Sequence, residues 1–369
     1  MAERKLLMKF DKYTALSYCF IHFSVEVLCF FILDSFFLKE TMLKWGAFFM
    51  FDSIAFLTQP LLGMFFEKYR RFVPGRIGLL FLIAGGAFCL IFRKNTVAML
   101  AGLAVLTLGN AITHIAGALS TARVSEGRMS ESAIFVAGGS FGVVTGRMLA
   151  KTAVPVFLVF IPALVALYLA GTTDRRIRGR YRDTAFDFMK RPTEHAVVND
   201  RPGPVIAVIL ALIVAARGFI GYGLPTGWNR LDVHTVLLFV FMGIGKMLGG
   251  ILADRFGART VGMASSLLAL PILLVSNQLM WLSLIGISLF SMTMAITLGG
   301  LFSVCKDSPG LAFGITTIGL YVGSVPLFFV QMPSQTICNF LNVFLSILAA
   351  VGFYYCMNNN KKTKVQGRQ

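Results

Sequence analysis

His22 and Glu26 stand four residues apart inside an apolar run, and Asn110 and His114 repeat that spacing in another. Residues four apart share one face of a helix, so each pair presents two polar groups side by side. An imidazole beside a carboxylate can share a proton, and proton exchange is the chemistry this pairing offers. Asp52 sits near the middle of a further apolar run and joins Glu26, His22 and His114 as a candidate proton carrier. Arg147, Arg217 and Lys246 place cations in other apolar runs, where they can receive a polar or anionic molecule. Asn110 and Gln59 add amides to the same list, and Ser291, Thr293 and Thr297 add hydroxyls. A charged group at membrane depth costs about 3 kcal/mol or more, so each of these needs a partner or a task.

A second kind of chemistry lies in two short charged turns. The first reads Gly63-Met64-Phe65-Phe66-Glu67-Lys68-Tyr69-Arg70-Arg71-Phe72. The second reads Gly250-Ile251-Leu252-Ala253-Asp254-Arg255-Phe256-Gly257-Ala258-Arg259. An offset of 187 residues carries Gly63 onto Gly250, Glu67 onto Asp254 and Lys68 onto Arg255. Both signs of charge in a tight turn allow ion pairs that make and break. Gly63, Glu67, Lys68, Arg71, Gly250, Asp254, Arg255, Gly257 and Arg259 are therefore the candidate gate residues, with Gly257 allowing the reversal.

The elements that must position these groups are membrane helices. The chain has 369 residues, 56% of them hydrophobic, and a mean hydropathy of +0.76, which leaves too little polar surface for a soluble fold. Apolar runs of about 18–25 residues recur throughout, each long enough to cross a bilayer. Spans are expected at 13–38, 43–66, 76–92, 97–121, 132–152, 153–171, 204–224, 233–253, 260–277, 279–303, 310–332 and 335–357. No small-residue cleavage site follows the first run, so it reads as a retained span. The net charge of +17 points to lipid rather than nucleic acid, because the Lys and Arg residues partition by loop. One side holds clusters such as Lys68 to Arg76, Arg175 to Arg201 and Lys361 to Arg368; the other holds only Lys39, Lys44, Arg93, Lys94, Lys151 and Arg230. That asymmetry puts both termini in the cytoplasm.

The expected architecture is an all-α polytopic membrane protein with twelve transmembrane helices in two six-helix bundles. The bundles cover 1–171 and 204–369, and a basic cytoplasmic linker, 172–203, joins them. The six cysteines lie in or near apolar spans without CxxC pairing and read as packing residues. The four histidines, His22, His114, His195 and His234, show no ligand spacing. No metal, cofactor or catalytic residue is expected.

Gly250 to Arg259 resembles the signature turn of the major facilitator superfamily, Gly-x-Leu-Ala-Asp-Arg-x-Gly-Arg-Lys, and Gly63 to Phe72 resembles a degraded copy. Gly138, Gly142 and Gly146 resemble the glycine motif of antiporters in that superfamily, with Val143 in the place of its proline and Arg147 in the place of a glycine. His22-Phe23 with Glu26, Gln59-Pro60 with Gly63 and Gly109-Asn110 with His114 resemble small bacterial exporters of the fosmidomycin-resistance type. The resemblance implies a monomeric secondary transporter in a bacterial inner or plasma membrane. It would move a small organic molecule by alternating access, coupled to protons, with efflux as the leading direction. Proton-coupled import and lipid flipping on the same fold are alternatives, and an integral-membrane enzyme is the alternative of another class. Spans 1, 4, 7 and 10 would line the cavity between the halves. Asp254 would meet the start of span 11 at Ser308-Pro309, and Glu67 the start of span 5 near Ser130, with an arginine of the turn completing each cluster.

Overall fold

The computed structural model describes residues 2–37, 41–69, 72–125, 127–180, 198–223, 227–274, 279–329 and 334–358. Among these the chain is helical throughout, apart from one isolated bridge between Val198 and Met357. The helices are α1 (Ala2–Ile32), with a π-helical turn at Leu33–Phe37, α2 (Thr41–Leu57), α3 (Gln59–Lys68), α4 (Pro74–Ile91), α5 (Thr96–Val124), α6 (Ser130–Ala150) and α7 (Val156–Arg180). They continue with α8 (Gly203–Gly223), α9 (Asp232–Phe256), α10 (Ala258–Leu274), α11 (Met280–Ser291), α12 (Thr293–Val304), α13 (Pro309–Ser324), α14 (Pro326–Phe329) and α15 (Gln335–Cys356).

A helix stands at every place where the sequence demands a span. Among the described residues ten stretches are long and apolar enough to cross a membrane; α10 and α13 are shorter there. Two spans are broken. Pro60 lacks an N–H and stands at the start of α3, so the second span divides at Thr58. The tenth divides at Met292 into α11 and α12.

Lipid tails are as apolar as leucine, so helices in a membrane associate through close packing and polar contacts. The stripe Gly138, Gly142, Gly146 on α6 does this against α1. A Cβ at Gly138 would strike the Cys19 carbonyl, one at Gly142 the Phe23 carbonyl and the Glu26 side chain, and one at Gly146 the Val27 carbonyl. The stripe brings the α6 backbone onto the turn of α1 that carries His22 and Glu26.

α7 continues past residue 171 to Arg180, into the first part of the segment expected as the linker. Its extra turns are anchored, because the Tyr18 hydroxyl of α1 donates to the Asp174 carboxylate and Arg176 lies 4.7 Å over the Tyr13 ring. The middle of the linker, with His195, falls outside the described residues, as do Arg71 and the tail beyond Asn358.

Candidate functional site

The buried polar groups of α1 and α5 converge. His22 and Glu26 face inward from α1, and both residues are buried, as is Asn110 on α5. Glu26 Oε1 lies 3.7 Å from His22 Nε2 and 3.3 Å from His114 Nε2. The same oxygen accepts a hydrogen bond from Asn110 Nδ2 at 3.1 Å. The two imidazoles stand edge to face, 4.3 Å between centroids.

Backbone carbonyls fix the tautomers. His22 Nδ1 is 3.0 Å from Phe135 O, and His114 Nδ1 is 2.9 Å from Asn110 O. A carbonyl oxygen only accepts, so each Nδ1 carries the hydrogen and donates. Each neutral ring then turns a bare Nε2 lone pair toward the Glu26 carboxylate. Three acceptor atoms meet at one point with a single amide donor among them. Such a pocket requires a further positive centre, the smallest of which is a proton.

The sequence spacing revealed the two i, i+4 pairs but not that they meet. His22, Glu26 and His114 each offer one ligand atom, all within 4.8 Å of one another. Helix packing in space, and not distance along the chain, makes the cluster.

Of the other candidates, Asp52 and Lys246 lie within electrostatic reach of Glu26. Asp52, on α2, is buried. Arg217, on α8, is buried, and its Nη1 and Nη2 have no hydrogen-bond partner among the described residues. Lys246, on α9, donates to Ser140 Oγ on α6 at 2.8 Å. Gln59 is buried at the start of α3 with its Oε1 unpartnered.

Three further groups have partners of their own. Arg147, a candidate for the substrate cavity, lies 3.9 Å from Asp34 and 5.1 and 5.8 Å from the ring centroids of Phe30 and Phe239. Thr293 turns its hydroxyl onto the Phe290 carbonyl at the end of α11 and Thr297 onto the Thr293 carbonyl of α12, as hydroxyls in apolar helices commonly do. Arg259, a candidate gate residue, donates from Nε to Met357 O at 2.7 Å and from Nη2 to Asn199 Oδ1 at 3.3 Å. It ties the start of α10 to the end of α15.

The two charged turns meet different partners from those expected. Asp254, at the end of α9, accepts from the backbone N–H groups of Met129 at 2.8 Å and Ser130 at 2.9 Å, the start of α6. Glu67, at the end of α3, accepts from the Ser308 hydroxyl and the Gly310 N–H, the start of α13. Each acid thus caps a helix N-terminus belonging to the other half of the chain, where both the unpaired N–H groups and the dipole favour a carboxylate. The expectation paired each acid within its own half. It failed because α9 packs along α6, and α3 along α13, so the end of each helix arrives at the other half's helix start. Gly63 and Gly250 permit that approach: a Cβ on Gly63 would strike the Gly310 backbone, and one on Gly250 the Met129 carbonyl and Ala133. Gly257 ends α9 with φ 92°, a conformation suited to glycine.

Two basic residues of the turns lie over aromatic rings beside them. Lys68 lies 5.4 Å over the Tyr69 ring, and Arg255 lies 5.3 Å over the Phe256 ring. The arginine beside the Asp254 cap is one the sequence reading passed over. Arg128 Nε donates to Glu131 Oε1 at 2.9 Å, one turn into the helix that Asp254 caps.

No family model matches the chain. The uncharacterized MFS-type transporter YfnC of Bacillus subtilis (strain 168) is 26% identical over 310 residues, which covers 73% of this chain and 74% of that protein. Among solved structures, the E. coli fucose:proton symporter FucP has a TM-score of 0.64 at 16% identity and covers 93% of this chain and 97% of its own. The human organic anion transporter MFSD10 has a TM-score of 0.62 at 18% identity, with coverage of 94% and 99%. A bacterial homologue of the iron transporter ferroportin in an outward-facing state has a TM-score of 0.63 at 12% identity, with coverage of 94% and 98%. The chain is a multi-pass plasma-membrane protein with the fold of these transporters, and the proteins it matches are not enzymes.

Proposed function

We propose that this chain, a member of the major facilitator superfamily, is a proton-coupled secondary transporter that exports a small organic solute by alternating access. Twelve spans in two bundles, 1–171 and 204–369, rock against each other about the 172–203 linker, with both termini and both charged turns in the cytoplasm. The protein works as a monomer in the bilayer.

The observation that carries this reading is the convergence of Glu26, His22 and His114 at 3.3 and 3.7 Å, buried between α1 and α5. Three acceptors that need one added positive centre make a proton-binding site with two internal exchange partners. FucP is described as a fucose:proton symporter, so the fold is compatible with this coupling. On α8, the unpartnered Nη1 and Nη2 of Arg217 supply charge for a solute with an anionic group; MFSD10, of the same fold, is described as an organic anion transporter. Export follows the resemblance to small bacterial exporters; import is the second reading and uses the same residues.

The caps at Asp254 and Glu67 form the cytoplasmic lock. Because both cross between the halves, a rocking motion must break them, which a contact within one half would escape.

Thermal-shift screening against metabolites and drugs, followed by transport in proteoliposomes with and without a pH gradient, tests the reading. A ligand whose movement is driven by the gradient supports it. Transport indifferent to the gradient contradicts it.

A further inference from the structure

The cluster that would hold a proton has the donor set of a metal site. We infer that His22 Nε2, Glu26 Oε1 and His114 Nε2 bind one divalent first-row transition-metal ion, of the zinc and cobalt class. The inference rests on the same cluster as the proposed proton coupling, but not on coupling itself.

Four features favour the ion. The separations are close: ligand atoms about 2.0–2.1 Å from a tetrahedral ion lie roughly 3.3 Å from one another, Glu26 Oε1 is 3.3 Å from His114 Nε2 and 3.7 Å from His22 Nε2, and all three atoms lie within 4.8 Å of one another. The protonation is right, because a ligating imidazole must offer a bare nitrogen while its other N–H is held by an acceptor. Phe135 O and Asn110 O hold the two Nδ1 hydrogens in this way. The carboxylate is oriented by Asn110 Nδ2 at 3.1 Å, which supplies the outer shell a ligating oxygen usually has. The donor types are right as well: two imidazoles and one carboxylate suit zinc, cobalt and iron better than magnesium or calcium.

The packing reserves the space. Gly139 leaves room for the His22 ring, since a Cβ there would strike Nε2 and Cε1. Gly142 does the same for Glu26. The His114 side chain, at 14% exposure, is the most accessible of the three, so an ion would enter past it. No Lys or Arg pairs with Glu26 among the described residues. Three protein ligands leave at least one coordination position open. Bound metal and the shared proton would exclude each other, because the ion uses the same lone pairs.

The test uses the full chain, purified in detergent without a histidine tag, stripped with EDTA and titrated with Co2+. The expected result is one saturable equivalent with the visible absorption of nitrogen- and oxygen-ligated cobalt, displaced by Zn2+. Glu26→Gln and His114→Gln should each weaken binding by tenfold or more, and Asn110→Ala, which keeps all three ligands, by about tenfold. His234→Gln, distant in the sequence and on α9, should leave the titration unchanged. No saturable absorption, or identical titrations for the parent, Glu26→Gln and His114→Gln, would overturn the inference. If a ligand variant fails to fold, Asn110→Ala carries the same decision. Absence of saturable cobalt binding in a protein whose transport follows the pH gradient defeats this inference alone. Cobalt binding in a protein whose transport ignores the pH gradient defeats the coupling reading alone.

Discussion

Glu26, in the first half of the chain, is surrounded by two imidazoles and an amide. Arg217, in the second half, is buried as well, yet two of its nitrogens have no hydrogen-bond partner among the described residues. The two buried charges therefore stand in opposite conditions. An ionisable group sealed among partners can exchange a small cation without rearranging its surroundings. A buried guanidinium with idle donors is expensive to keep, and such a cost is retained where a larger partner arrives to satisfy it. On the proposed reading the halves divide the labour: the first carries the proton and the second receives the solute.

Five substitutions probe that division and the contacts around it. The largest effect is expected from Glu26→Gln, which keeps the shape and the amide contact but removes the proton site. Gradient-driven accumulation in proteoliposomes should fall by about two orders of magnitude, a typical contribution of a positioned proton-transfer group. Arg217→Gln should leave the pH dependence in place and raise the half-saturating concentration of an anionic solute by roughly tenfold to a hundredfold, as expected for lost hydrogen bonds to a charged group. If Arg217→Gln instead abolishes gradient dependence, the halves do not divide the work.

The lock should respond more gently. Asp254→Asn and Glu67→Gln each remove a carboxylate from a helix N-terminus, worth roughly 1 kcal/mol, or about a fivefold shift toward the unlatched state. Labelling of a cysteine introduced on the cytoplasmic side of the cavity would read that shift, and the two single effects should be similar. The smallest effect is expected from Arg259→Ala. It lies in the signature turn but binds Met357 O and Asn199, so transport should stay within about twofold of the parent. A collapse of transport would return Arg259 to the lock.

The helices were legible because an apolar run of span length has few alternatives, and the signature turn identified the architecture. The pairs His22–Glu26 and Asn110–His114 were legible from their spacing. Their meeting was not, since it depends on how α1 packs against α5 and α6, and the glycines that set this packing read only as a stripe. The locks were half legible. The sequence showed two equivalent acids and two helix starts, but not which acid meets which start. The degraded first turn was misleading in one respect: Glu67 and Gly63 retain what the contact needs, a carboxylate with enough reach and a helix face without a Cβ. Arg128, Asp174 and the unpartnered state of Arg217 carry no pattern along the chain, and only the fold exposes them.

The central claim is that Glu26 carries the coupled proton. Its most direct test is transport of a solute found by screening, measured in proteoliposomes across a range of imposed pH gradients, for the parent and for Glu26→Gln. The account predicts accumulation that rises with the gradient in the parent and a flat, passive response in Glu26→Gln with normal expression and folding. An unchanged gradient dependence in Glu26→Gln would contradict it.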